Sequence, residues 1–151
     1  MDKLKNIILN LIENELQSDP SEDTFEAFEE NINNLNSEYG QYQILDSILE
    51  ILKDYSYHKC WYLAVSIISW FVEEGDIDLP VKWQELVAIL YFCLDLFPDL
   101  GVSEGADGEN LVWGIAHSLK NVDYLSEWNP IKDPEIIKYI KQLKKELLDE
   151  H

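Results

Sequence analysis

Residues 57–74 and 80–97 read as two helices that are apolar almost all the way round. A helix without a polar face has to be enclosed, either by lipid or by other protein segments. Crossing a bilayer takes about 20 apolar residues. The longest apolar run here, 60–72, spans 13 residues and is interrupted by Ser66 and Ser69. Lipid is therefore excluded, and the two segments are expected to be the core around which the rest of the chain is arranged.

The remaining apolar residues have the spacing that such an arrangement needs. Leu4, Ile7, Ile8, Leu11, Ile12 and Leu16 recur at three-four intervals over 3–17, and Phe25, Phe28, Ile32 and Leu35 make a second stripe. Asp23 and Glu26 have capping-box spacing at the start of that second helix, and Asn33, Asn34, Asn36 and Gly40 mark its end. A third helix is predicted over 41–55 on Ile44, Leu45, Ile48, Leu49, Ile51 and Leu52. Ser56 is then the cap of the helix over 57–74, with Gly75 at its left-handed end, and Pro80 is the first residue of the next. After an irregular acidic loop containing Gly101, Gly105 and Gly108, a helix over 110–120 carries Leu111, Val112, Ile115, Ala116 and Leu119. Asp133-Pro134, a cap followed by a first-position proline, opens the last helix, which runs to about Leu148.

No segment shows sustained period-two alternation, and no Asn-Gly or Asp-Gly pair separates two alternating runs. The expected fold is a single all-α domain over 1–151, an irregular bundle or stacked helical hairpins of about seven helices. Trp61, Ile68, Leu86, Leu90 and Ile115 are its expected buried centre. Lys3 and Lys5 precede an apolar face much as in a signal peptide. Asn10, Glu13 and Asn14 interrupt that face and no small-residue cleavage site follows, so a mature amphipathic helix and a cytoplasmic protein are expected.

Charge sets the functional classes. Thirty acidic residues stand against 11 lysines and no arginine, a formal net charge of −19. Such a field repels nucleic acid and anionic membrane and accelerates encounter with basic partners. Neither is an expected partner; a basic protein is. No GxGxxG or GxxxxGK pattern offers a phosphate cradle, and the acids among the loop glycines would repel phosphate. The same loop lacks the ligand order of a calcium hand. His58, Cys60, Cys93 and His117 include zinc-ligand types without zinc spacing. No metal, cofactor or catalytic residue is expected, and Cys60 and Cys93 are read as buried reduced thiols. Asp95, within an apolar helix, is the one carboxylate with the sequence context of a buried acid, and its placement at the solvent edge of that helix is the expectation.

The acids are clustered. Residues 6–52 hold eleven acids and no lysine, and 60–119 hold ten acids against Lys82 alone. Glu26, Glu29 and Glu30 project opposite the Phe28 stripe. Glu73, Glu74, Asp76 and Asp78 form a second group, and Asp95, Asp99, Glu104, Asp107 and Glu109 a third. Like charges at i,i+4 each cost a few tenths of a kcal/mol, so the clustering works against stability. A solubilising surface and a partner site both account for it. Specific binding also needs desolvated anchors, and Trp83, Tyr124 and Trp128 are the aromatics expected to be partly exposed.

A small, compact, acidic, motif-free helical chain of this kind resembles the all-α immunity proteins of contact-dependent growth inhibition systems, antidotes to secreted bacterial toxins. The likeness lies in size, charge and helical content and assigns no residue roles. It implies a binding protein rather than an enzyme, one that blocks a cognate toxin domain, often a basic nuclease, in the cytosol. The alternatives are a nucleic-acid mimic that inhibits a DNA- or RNA-binding enzyme, and a small helical enzyme. The Lys-, Ile- and Asn-rich, Arg-free composition fits an AT-rich bacterial or phage gene.

Overall fold

The computed structural model describes residues 2–18, 22–73, 75, 77–98, 100 and 108–148. Among them are seven α-helices and no strand: α1 Asp2–Gln17, α2 Glu22–Tyr39, α3 Gln41–Leu52, α4 Trp61–Glu73, α5 Trp83–Leu96, α6 Gly108–Lys120 and α7 Pro134–Leu147. Two short 3-10 segments, Tyr55–Cys60 and Pro130–Lys132, precede α4 and α7.

The two apolar helices lie inside. In α5 the eight consecutive residues from Leu86 to Cys93 are all buried, which is possible only for a helix surrounded on every side. It packs against α3, α6 and α7, while α4 packs against α3 and α6, and α1 closes over α2 and α3. The buried side chains of all seven helices form one cluster, and the five expected centres, Trp61, Ile68, Leu86, Leu90 and Ile115, are each no more than 2% exposed. None of the helices among the described residues is long and apolar enough to cross a membrane.

Several boundaries differ from the sequence reading for identifiable reasons. Asp23 is the second residue of α2 rather than its cap, and α2 runs through Asn33, Asn34 and Asn36 to Tyr39. Burial of Ile32 and Leu35 outweighs the weak helix propensity of asparagine. Gly40 does break the chain: at φ 91° and ψ 157° it occupies a region open essentially to glycine alone, and it turns α2 directly into α3. α3 stops at Leu52 rather than at Tyr55, because Asp54 starts a new turn. Its Oδ1 accepts hydrogen bonds from the Ser56 amide at 3.0 Å and the Ser56 hydroxyl at 2.7 Å, so Asp54 is the cap and α4 begins only at Trp61.

Pro80 likewise is not the first residue of α5, which opens at Trp83. Ile77, Leu79 and Val81 alternate along the preceding segment and all pack against the core. A helix begun at Pro80 would rotate one of these side chains away. Gly75 has the positive φ expected of it, 88°, and its amide reaches the Val72 carbonyl at 3.0 Å. α6 ends in a Schellman arrangement: Asn121 is left-handed at φ 62°, its amide bonds to Ser118 and the Val122 amide bonds to His117. α7 starts as expected, with Asp133 accepting from the Glu135 amide at 3.0 Å and Pro134 at the first position.

Two side chains tie the core helices to the end of α3, where carbonyls lack helical partners. Trp61 Nε1 donates to the Ile51 carbonyl at 3.0 Å and Cys93 Sγ donates to the Leu52 carbonyl at 3.0 Å.

Candidate partner-binding surface

α2 places its acids by simple helical geometry. With Phe28, Ile32 and Leu35 buried, the opposite face must carry Glu26 and Glu30, which are exposed, and Glu29 at its edge, which is half-buried. Phe25, expected in the buried stripe, is instead 38% exposed. Its ring stands edge-on to Trp70 of α4 at 5.7 Å, and Phe28 meets the same indole at 5.8 Å. This contact brings the start of α2 against the end of α4, where exposed Glu73 follows Trp70 by one turn. Two acidic groups that are far apart in sequence thus flank one half-covered aromatic pair. Neither Phe25 nor Trp70 was legible as an anchor, because both sit at helical positions that sequence spacing assigns to the core.

Asp78 is exposed in the connector to α5. Glu74, Asp76, Asp99, Glu104 and Asp107 lie outside the described residues; Glu109 is in the first turn of α6, with its side chain likewise outside them. Asp95 is at the solvent edge of α5, as expected. Its Oδ2 lies 3.7 Å from Lys144 Nζ, with both side chains largely exposed. That is the one ion pair among the described residues. Lys138, Lys141 and Lys145 of α7 are exposed as well. The lysine-rich helix therefore packs on α5 through its apolar side and leaves the acids of α2 and Glu73 uncompensated.

The three expected anchors converge at a second place. Trp83 and Trp128 meet edge-on at 6.1 Å, and Lys120 Nζ lies over both rings, at 5.8 and 5.0 Å. Trp83 and Trp128 are half-buried and Tyr124 is 46% exposed, with Leu125 beside it at 86%. The hub is His117, which the sequence offered only as a zinc-ligand type without zinc spacing. It is 1% exposed, with Trp113 stacked on it at 4.6 Å, Trp128 edge-on at 5.0 Å and Tyr124 tilted at 6.0 Å. Its Nδ1 lies 2.8 Å from the Trp113 carbonyl and its Nε2 3.2 Å from the Trp128 carbonyl. Trp113 Nε1 donates to the Tyr124 carbonyl at 3.1 Å, and Trp128 Nε1 to Asp133 at 3.1 Å. The His117–Trp128 and Trp113–Tyr124 contacts pin the connector 121–129 to α6, and the Trp128–Asp133 bond ties it to the cap of α7, with the Tyr124 ring left partly exposed. The Trp113-His117-Lys120 spacing of one helical face was the available signal for this cluster.

The nucleophile and ligand types are dispersed. Among the described residues no three His, Cys, Asp or Glu side chains converge as metal ligands. Both cysteines are free and buried. Burial, with Glu13 adding a smaller effect, raises the Cys60 thiol above its usual pKa, and burial alone pushes the Cys93 thiol far up. Both therefore hold their protons under ordinary conditions. The ring nitrogens of His117 face backbone carbonyls inside a closed aromatic shell, out of reach of a substrate.

In comparisons with known proteins, no family model, no curated protein and no solved structure matches the chain.

Proposed function

We propose that this chain binds and neutralises one basic protein, in the manner of an immunity protein that blocks its cognate toxin domain in the cytosol, and that it is not an enzyme. The observation that carries the reading is the uncompensated charge. With −19 overall and a single ion pair among the described residues, Glu26, Glu30, Glu73 and Asp78 stand exposed without a lysine partner. Such a field raises association rates with a cationic surface. Rate alone does not make a specific complex, which needs apolar anchors that lose water on binding. The Phe25–Trp70 pair supplies these among the carboxylates of Glu26, Glu29 and Glu73, and Tyr124 with Leu125 supplies a second, outlying contact.

The test starts from a tagged chain expressed in its native host, recovery of the bound protein at low salt, and measurement of binding and of protection from that protein's toxicity. The expected partner is basic, and its association rate falls as salt is raised. Joint Glu26→Lys, Glu29→Lys and Glu30→Lys substitution should weaken binding at least about tenfold, since coupling across a close interfacial charge pair reaches about 1.5–7 kcal/mol. Phe25→Ala should act mainly on the dissociation rate. Recovery of no basic partner, or reversed variants of α2 and of Glu73 with Asp78 that bind and protect like wild type, would reduce the acids to a solubilising surface. Inhibition of several unrelated DNA-binding proteins would instead make the chain a nucleic-acid mimic.

A further inference from the structure

His117 is 1% exposed, and each of its ring nitrogens faces a backbone carbonyl oxygen: Nδ1 that of Trp113 at 2.8 Å, and Nε2 that of Trp128 at 3.2 Å. A carbonyl oxygen can only accept. A neutral imidazole has one N–H and one bare nitrogen, whereas the imidazolium has two N–H groups. In the neutral ring one contact is therefore a hydrogen bond and the other sets a lone pair against an oxygen. The closer oxygen, one turn back on the same helix, assigns the single proton to Nδ1. The mismatch then falls on Nε2 and the Trp128 carbonyl, in the connector 121–129. Only a second proton turns that contact into a hydrogen bond.

The groups around the ring act on that proton in opposite senses. His117 lies in the last turn of α6, where the helix dipole favours a cation, and Trp113 lays its indole on the ring at 4.6 Å. On the connector side, Asp133 accepts from Trp128 Nε1, and Asp123 and Glu127 are exposed. Lys120, whose Nζ lies 5.0 Å from the Trp128 ring, opposes a second cation. α4 and α5, which pack on α6, carry Tyr62, Glu73, Glu85, Tyr91, Cys93 and Asp95, and none of these bonds to the ring. The dipole and Trp113 belong to α6 and act whether or not the connector is in place. What the connector changes is the partner of Nε2. Without it, Nε2 meets water, which serves either form. With it, the bare nitrogen loses its donor and meets an oxygen, while a protonated Nε2 exchanges water for a charge-assisted bond.

We propose that His117 is a proton-operated latch: a second proton, on Nε2, ties the Trp128 carbonyl and with it the connector to α6, and its loss slackens that tie. The latch is thus closed on the acid side and loosens as pH rises. The Trp113–Tyr124 bond involves no titrating group and holds the connector at its other end throughout. Tyr124 and Leu125, 46% and 86% exposed, lie between the two ties, so the proton sets how rigidly they stand. The latch needs no partner protein and is independent of the binding function proposed above.

The experiment follows the uniformly ¹⁵N-labelled chain from about pH 8 to about pH 5, the interval in which histidine changes charge. The ring ¹⁵N shifts distinguish the two tautomers from the imidazolium. At the alkaline end Nδ1 should carry the proton, and at the acid end both nitrogens should. Hydrogen-exchange protection, corrected for intrinsic rates, is read at the Leu125 and Ser126 amides, which bond to Asp123 within the connector. Relative to Ile48 in the core, it should rise about tenfold on acidification, the fold-change that one charge-assisted bond carries. His117→Phe, which fills the same aromatic shell without a proton, should abolish this rise. The proposal is overturned if the ring stays neutral to pH 5, or if Nε2 carries the proton of the neutral form. It is equally overturned if connector protection tracks Ile48 or falls on acidification, or if the rise survives in His117→Phe.

Discussion

Replacement of Leu90 by alanine tests the central claim about the core. Leu90 is 0% exposed, and its neighbours from Leu86 to Cys93 are buried without interruption, so no side of the helix faces water. Leucine-to-alanine changes in cores cost about 2–5 kcal/mol, the spread reflecting how far the surroundings collapse into the space left. α5 is gripped by α3, α6 and α7 and cannot shift toward one neighbour without leaving another. The expected cost is therefore in the upper half, about 3–5 kcal/mol. With a urea dependence of about 2 kcal/mol/M, the unfolding midpoint should fall by about 1.5–2.5 M at unchanged slope. Leu16→Ala is the control: that residue carries the same apolar spacing in sequence but is 50% exposed, and its loss should cost about 0.5 kcal/mol or less. Equilibrium unfolding followed by far-UV circular dichroism reads both. A cost below about 1 kcal/mol for Leu90→Ala, or equal costs for the two variants, would refute the placement of α5 at the centre.

Two further outcomes follow from local chemistry. Because burial pushes the Cys93 thiol up, the folded chain keeps a proton that the unfolded chain loses above its ordinary thiol pKa of about 8.5. Stability from this group is level below that pH and falls by up to about 1.4 kcal/mol per pH unit above it. Cys93→Ala should flatten the decline between about pH 8.5 and about pH 10 in urea midpoints, and an unchanged decline would refute the assignment. Gly40→Ala should cost about 1–3 kcal/mol through backbone conformation alone, since a Cβ there would touch nothing within 4 Å. Gly114→Ala, inside α6 with only Tyr124 at 4.0 Å, should instead be neutral or stabilising by up to about 1 kcal/mol. Thermal melts of the two variants compare them directly, and equal effects would remove the argument from φ.

The all-α architecture was legible because the apolar residues carry it redundantly. The three-four spacing in α1, α3 and α6 and the all-round apolarity of α4 and α5 each exclude a strand, and Asp133-Pro134 and Gly75 mark ends by backbone chemistry that acts over only a few residues. The boundaries that differed are those at which a distant contact outweighs a local signal. Asparagines stay helical in α2 because Ile32 and Leu35 are buried, and the start of α5 is delayed because Ile77, Leu79 and Val81 cover the core from the non-helical segment before it.

The candidate surface divides along the same line. The acidic groups and the aromatic candidates Trp83, Tyr124 and Trp128 could be read from the chain, since charge and composition need no geometry. Which of them meet could not be read, because a helical stripe specifies an inward face but not its neighbour. A local aromatic contact between α2 and α4 placed Phe25 against Trp70, so that two stretches of acidic sequence reach one aromatic pair. Packing of the connector on α6 buried His117 beneath Trp128 and Tyr124 and gave its Nε2 the Trp128 carbonyl to face. The sequence by itself determined helix, core and charge, because periodicity and composition are properties of the chain alone. Only the tertiary structure decided the patch and the histidine hub, because each is a meeting of side chains separated by many residues, set by how whole helices pack.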